Sequence, residues 1–292
     1  MRISLRPFYA IAAAMAFLIL PSCRKERLLL EEDPDAIGRF CRIDTFSFGG
    51  GPNYSEQVMI SYNRAGNPVI MTPSLFGGQY GESFDYIYFR YDRAERLVDC
   101  FFGGPNGPNT PFETGSIDLW HRFTYPSPHV IIDSFFNYDG PGIPPVENPP
   151  ADYATLTVSY YELDEKGRTR KTYIRYIAGV ASSNDTIYTN YDDRGNAVIP
   201  GFTYDHKVNP YRTNKVWQLL FQDYSMNNPI YPATVYRPAS TFILNFNKWG
   251  LPLEYKDNSE GDFGITLFFY FGIVNLGISY SCDQEAGKSV PD

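Results

Sequence analysis

Histidine is scarce in this chain, and the few that occur lack the neighbours that a catalytic or metal site needs. Only His121, His129 and His206 are present among 292 residues, and none has a second ligand at the short spacings of metal-binding motifs. No GxSxG turn, phosphate loop or dinucleotide fingerprint occurs either. We therefore predict no catalytic residue, no bound metal and no cofactor.

Basic residues are also few. The chain has 25 Lys and Arg against 33 Asp and Glu, which gives a formal net charge of -8 at pH 7. Nucleic acid requires a basic surface that neutralises its phosphates, so we expect no nucleic-acid partner. An acidic surface is ordinary for an exported domain and identifies no other partner.

Long apolar runs occur at only two places, and the first lies at the N-terminus. A basic segment, Met1 to Arg6, precedes an uncharged and mostly apolar run over residues 8–20. This layout predicts a secretory signal peptide over residues 1–22, and the run is short for a membrane span. Cys23 follows Ser22 and resembles the lipobox of bacterial lipoproteins, which implies that Cys23 carries a lipid. The alternative is an ordinary signal peptide with an unmodified Cys23.

That lipid would attach the protein to the outer membrane of the cell envelope, facing the periplasm or the cell surface. Residues 23–39 are predicted to be a tether and residues 283–292 a disordered tail. The second run, residues 263–282, contains no charge, so a membrane span is one interpretation. Its glycines and aromatic residues favour one or two fully buried strands.

Cysteine is limited to Cys23 and three others, Cys41, Cys100 and Cys282. Export permits disulfides, and an odd number leaves at least one cysteine free or bonded outside the chain. A bridge between Cys41 and Cys282 would tie the two ends of the domain. Since free cysteines are commonly buried, three buried thiols are the favoured interpretation.

Aromatic and turn-forming residues are abundant. The chain contains 24 Tyr, 22 Phe, 24 Gly and 23 Pro, a mixture typical of many strands joined by turns. We predict an all-β fold, an antiparallel meander of successive hairpins that forms a large twisted sheet, an open barrel or a sandwich. Residues 40–282 are predicted to be a single β-rich domain, with the proline-rich residues 141–150 as a stiff loop. Only residues 216–224 suit a short helix as well as a strand.

One turn pattern recurs along the chain. In Tyr191-Asp-Asp-Arg-Gly195-Asn196, the aspartates can bond to backbone two residues on, and Gly195 accepts a positive φ. Related segments begin at Tyr62, Tyr91, Tyr161 and Phe246. An aromatic residue, a polar turn and then an apolar segment together predict a β-hairpin. The pair Asp192 and Asp193 also suits calcium, but its place in a turn explains it equally well.

These turns, with the segment from Phe202 to Pro210, resemble those of a group of Bacteroidota-type lipoproteins and, more distantly, the YD repeats of RHS-type shells. The resemblance covers about five hairpins between Tyr62 and Tyr255 and implies an architecture without an activity. Glu95 replaces glycine in one copy and the spacing is irregular, so a closed shell is not expected.

Three functions remain open at this stage. The first is a non-enzymatic, lipid-anchored protein that binds an envelope protein or another ligand, or has a structural role. The second is a carbohydrate-binding lipoprotein in which Trp120, Trp217 and Trp249 form a stacking platform for a glycan. The third is a hydrolase whose site is assembled from dispersed residues, because a pair of catalytic carboxylates leaves no sequence signature.

Overall fold

The computed structural model describes residues 37–38, 40–48, 56–73, 86–104, 116–138, 149, 153–178, 184–230, 241–257 and 275–282. Within them lie fifteen strands, one 3-10 helix and one α-helix. In chain order these are β1 (Cys41–Phe48), β2 (Glu56–Tyr62), β3 (Pro68–Pro73), β4 (Tyr86–Tyr91), β5 (Leu97–Gly104), β6 (Ser116–Ser127), β7 (Val130–Asn137), β8 (Thr155–Leu163), β9 (Thr169–Ala178), β10 (Asn184–Tyr188), β11 (Thr203–Val208), the 3-10 helix Pro210–Thr213, α1 (Lys215–Phe221), β12 (Asn227–Ile230), β13 (Thr241–Phe246), β14 (Pro252–Asp257) and β15 (Asn275–Cys282).

Thirteen of the strands form one antiparallel sheet. Strands β1 to β10 follow one another in sequence order, and the chain then returns as β13, β14 and β15, with β15 beside β1. The sheet therefore has two edges, β10 and β13, and is not closed. Strands β11 and β12 form a separate pair. The predicted antiparallel meander of hairpins is confirmed, as a large open sheet.

The hairpins predicted at Tyr62, Tyr91, Tyr161 and Phe246 join strands that pair directly: β2–β3, β4–β5, β8–β9 and β13–β14. Strands β6 and β7 form a further hairpin. The segment around Gly195 differs. Its turn is closed by a single bridge between Tyr191 and Ala197, and Val198 and Ile199 beyond it are exposed. A full hairpin at this copy was therefore wrong, because the apolar pair after the turn has no core to enter.

The main core lies on the face of the sheet that carries α1. Residues alternate along β4, since Ile87 and Phe89 are buried and Tyr86 and Tyr88 are half-buried. Side chains from β15 and from β1 to β8 pack with α1 into this one cluster. On α1, Trp217 lies edge-on to the rings of Phe46 and Phe89. Of the two alternatives at residues 216–224, the structure adopts the helix over residues 216–221, and the helix ends before Gln222.

A disulfide and the burial of β15 each differ from what the sequence predicted. Cys41 and Cys282 form a disulfide between the paired strands β1 and β15, so the interpretation as three buried thiols was wrong. Of these three cysteines, which all lie in described segments, only Cys100 is a free, buried thiol. On β15, Leu276 and Ile278 are buried whereas Ser279 and Ser281 are exposed. Full burial was wrong there, because only one face of this strand meets the core.

Several predictions fall outside the described residues: the signal peptide and Cys23, the loop 141–150 apart from Pro149, the segment 263–274 and the tail 283–292. Within the described part of the chain, no helix is both long enough and apolar enough to cross a membrane.

Candidate functional site

Five turns, each of five residues, share one design and lie at the same end of the strands; we call them the turn row. In each, the first N–H donates to the carbonyl of the fifth residue and the fourth N–H donates back to the carbonyl of the first. The first side chain, always Asn or Asp, accepts a hydrogen bond from the fifth N–H. The turn row comprises 63–67, 92–96, 164–168, 192–196 and 247–251. Because antiparallel strands reverse direction at every hairpin, alternate turns fall at the same end of the strands.

The fourth residue of every turn has a positive φ. Four of these residues are glycines, with φ between 76° and 84°, a region that glycine enters without a clash from Cβ. In the remaining turn, 92–96, the fourth residue is Glu95, with φ 57°. Its carboxylate accepts hydrogen bonds from Asn63 and Asn67 at 3.2 and 3.0 Å, so it links two neighbouring turns.

Tyrosine hydroxyls bond to the backbone directly after four of the turns. Tyr91 donates to the carbonyl of Pro68, Tyr125 to that of Leu97, Tyr191 to that of Thr169, and Tyr280 to that of Pro252. Each acceptor is the residue directly after a turn of the row. Burial raises the pKa of all four tyrosines, so the hydroxyls stay protonated and keep donating.

The residues that cap the helix α1 also fix it against the turn row. At its start, Asn214 accepts from the N–H of Val216 at 2.8 Å and donates through Nδ2 to the carbonyl of Gly66 at 2.9 Å. At its end, Gln222 has φ 50° and accepts from the Thr169 hydroxyl at 3.2 Å. The helix therefore runs from the turn 63–67 towards the turn 164–168.

A cavity of about 920 Å³ lies between the turn row and the segment 212–219. Its inner wall is apolar and belongs to the main core, with Leu97, Ile131 and Leu219 among its residues. The turns 63–67, 92–96, 164–168 and 192–196 and the segment 212–218 contribute most of its polar lining. Six Lys and Arg side chains and two carboxylates line it: Arg96, Lys166, Arg168, Arg194, Arg212, Lys215, Glu95 and Asp193.

Some of these cations are already neutralised. Arg96 contacts Asp92 and Arg168 contacts Asp164, each with a nitrogen–oxygen distance of 2.7 Å. Hydrogen bonds from the backbone and side chain of Arg96 lower the pKa of Asp92. Burial acts to raise the pKa of Asp164, but hydrogen bonds from Arg168 outweigh it and the net shift is downward. These two ion pairs belong to the construction of their turns.

A second group of polar residues, which the sequence analysis missed, lies on the helix-bearing face of β5, β6 and β7. His121 contacts Asp133 through Nδ1 at 3.0 Å, and Cys100 is the cross-strand neighbour of His121. The thiol is fully buried and its pKa is raised well above the usual value by that burial. A protonated thiol that a substrate cannot reach is a poor nucleophile. His121 and Asp133 lie on the two strands of the β6–β7 hairpin, and their spacing along the chain was the available sequence signal.

The three tryptophans lie in three different clusters. Trp120 is fully buried and donates to Asp99 at 2.7 Å, on the other face of the sheet. Trp217 is buried in the main core. Trp249 is half-buried and stacks on Phe40 with ring centroids 5.5 Å apart. The structure does not bring them to one surface, and a glycan platform on these residues stays a prediction without structural support.

The acidic pair Asp192 and Asp193 divides between two roles. Asp192 accepts from the N–H of Asn196 at 2.8 Å as the first residue of its turn, while Asp193 is exposed and lines the cavity. Across the described segments, no group of three or more His, Cys, Asp or Glu is arranged to hold a metal ion.

His129 and His206 lie away from this site. His129 accepts at its carbonyl from the N–H of Leu163 at 2.9 Å, beside the β6–β7 turn, and His206 is exposed on β11. Neither lines the cavity. Comparison with known proteins finds no family model and no curated protein that matches this chain.

Proposed function

We propose that this protein is exported, attached to the cell envelope by a lipid on Cys23, and has a non-enzymatic binding role. The observation that carries the proposal is the cavity framed by the turn row and α1. Its lining consists of a core wall and ionic turn residues, a combination typical of a ligand-binding pocket. Neither cysteine nor histidine is among its described lining residues.

The hydrolase alternative draws less support. Its best candidates, Cys100, His121 and Asp133, lie outside the cavity lining, and the thiol is buried and held protonated. A nucleophile must be reachable and ionisable at working pH, or be activated by an adjacent base. Binding therefore explains the described geometry better than bond cleavage does.

The anchor is tested by fractionation. We expect the wild-type protein in the membrane fraction and a Cys23→Ala form in the soluble fraction or retained with an uncleaved leader. A Cys100→Ala form, which changes a buried thiol instead, serves as the matched control and should fractionate like the wild type. Unchanged, salt-resistant membrane association of a cleaved Cys23→Ala protein would end the claim of a lipid anchor.

The carbohydrate alternative is tested on a glycan array with the wild-type protein and a Trp249→Ala variant. Glycan binding that disappears in Trp249→Ala would favour a stacking platform at this residue. Glycan binding that persists in Trp249→Ala but disappears when Lys166 is changed would place the ligand in the cavity.

A further inference from the structure

We infer that the cavity between the turn row and α1 binds a small organic anion, with a phosphate or carboxylate group carried on an apolar body. The inference rests on the proposed binding function and narrows its ligand class. Three features of the described residues support it: cations without a carboxylate partner, an apolar inner wall, and a volume suited to a small molecule.

The first feature is a set of three cations that no carboxylate offsets directly. Lys166, Arg194 and Lys215 line the cavity and are exposed. Among the described residues none of them lies within ion-pair distance of an Asp or Glu. Arg194 instead donates to two neutral acceptors, the carbonyl of Asp205 and the side-chain oxygen of Asn227. Its charge is therefore held in position but not neutralised.

The opposing charges do not cancel this excess. Arg96 and Arg168 are offset by the carboxylates of their own turns, and Arg212 interacts with Asp223. Glu95 is occupied by the amides of Asn63 and Asn67, and Asp193 is exposed to water. Three cations thus face two carboxylates in a protein whose formal net charge is -8. A positive lining in an acidic protein concentrates anions at the cavity.

The second feature is the wall behind these charges. Leu97, Ile131, Val216 and Leu219 are buried residues of the main core that line the cavity. A ligand with an apolar body would remove further apolar surface from water, which a simple inorganic ion cannot do. The volume of about 920 Å³ falls in the range of small-molecule sites and is too small for a folded partner.

The probe is 1-naphthyl phosphate, which joins a dianion to an apolar ring and is soluble in water. Binding is measured by isothermal titration calorimetry with the mature, lipidated protein in nanodiscs of neutral phosphatidylcholine, and empty nanodiscs give the baseline. Inorganic phosphate serves as the anion without an apolar body. Naphthalene-1-methanol serves as the ring without a charge.

The variant is Lys166→Gln with Lys215→Gln. Both side chains are exposed and without an ion pair among the described residues, and a cation in the first turn of a helix does not stabilise it, so the fold should persist. The matched control is Lys248→Gln, an exposed turn lysine outside the cavity. We expect the double variant to raise the Kd of 1-naphthyl phosphate at least tenfold, since two charge-assisted contacts are lost, and the control to change it less than twofold.

The arms of the experiment separate the two proposals. Binding of naphthalene-1-methanol that equals or exceeds that of 1-naphthyl phosphate would keep a binding role and overturn the anionic ligand class. Equal affinity for inorganic phosphate and 1-naphthyl phosphate would overturn the apolar body. An unchanged Kd in the double variant would overturn the cavity as the site. No heat above baseline with any of the three compounds would overturn the inference while leaving the fractionation test of the anchor unaffected.

Discussion

The turns 92–96 and 164–168 share almost every contact but differ at their fourth residue. In both, the aspartate accepts from the third and fifth N–H groups at 2.9 Å and from the Nε of the following arginine at 2.8 Å. Yet the fourth residue is Glu95 in one and Gly167 in the other. The aspartate framework therefore determines this turn, and glycine only lowers the cost of its backbone.

The largest effect is expected in a third turn, 192–196, where the fourth residue is Gly195. A Cβ on Gly167 would meet no atom within 4 Å, whereas a Cβ on Gly195 would lie 2.7 Å from Cγ of Met226. Gly167→Ala should lower the free energy of unfolding by about 1–2 kcal/mol through backbone strain alone. Gly195→Ala should lower it by about 2–4 kcal/mol, because crowding adds to that strain.

Urea unfolding followed by tryptophan fluorescence measures both changes. In a Met226→Ala background the extra loss at Gly195 should disappear, since the crowded atom is gone. Equal losses at the two glycines in the wild-type background would contradict the crowding argument.

Removing the aspartate should be nearly as costly as crowding the turn. Asp92→Ala and Asp164→Ala each delete two backbone hydrogen bonds to a carboxylate and an ion pair, so we expect each to lower the free energy of unfolding by about 2–3 kcal/mol. Glu165→Ala is the matched control in the same turn, because Glu165 is exposed, and should change it by less than about 0.5 kcal/mol. A similar loss for control and test would show that the framework is not the determinant.

Acid should weaken the same two turns more gently. The pKa values of Asp92 and Asp164 are lowered in the folded protein from the ordinary 3.8. Their stabilisation is therefore present above that value and is lost as the pH falls through the lower folded value. We expect the urea midpoint to fall between pH 5 and pH 2, and the fall to be shallower in Asp92→Asn. The effect is smaller than that of alanine because a protonated carboxyl still accepts hydrogen bonds. An acid slope that is identical in Asp92→Asn would contradict this assignment.

The smallest effect is expected where the two turns differ. Glu95→Gly relieves about 1 kcal/mol of backbone strain but removes the bonds from Asn63 and Asn67, so the free energy of unfolding should change by less than about 0.5 kcal/mol. Glu95→Ala loses those bonds and keeps the strain, so it should be less stable than Glu95→Gly by about 1 kcal/mol. Chemical denaturation of the pair decides the point, and equal stability would show that φ at this position costs nothing.

The architecture was readable from the sequence because its signals are local. The Asp-to-Gly spacing of the turns acts within a few residues, and the turns that it predicted were confirmed. The contact between β15 and β1 was reached only as an alternative, the bridge between Cys41 and Cys282, because 241 positions separate the two cysteines and no local pattern encodes such a contact. The copy at Gly195 misled because its turn forms as predicted, but Val198 and Ile199 after it are exposed and belong to no strand.

The cavity could not be predicted for the same reason. Its lining comes from four turns and from the helical segment 212–219, and only the tertiary arrangement shows which lysines meet there. Tryptophan drew attention by its chemistry, but Trp120 and Trp217 are used in packing. The ionic residues of the turns, which looked like ordinary solvated loops, form the lining instead.

The bond between Cys41 and Cys282 converts the polypeptide between them into a covalent ring. A protease that cuts this ring once, at any loop, produces no separate fragment until the bond is reduced. The nicked molecule keeps its full mass in non-reducing electrophoresis, and the two segments on either side of the cut stay in one molecule, so their strands can pair again. A protein outside the cell would in this way survive a first cleavage as one piece.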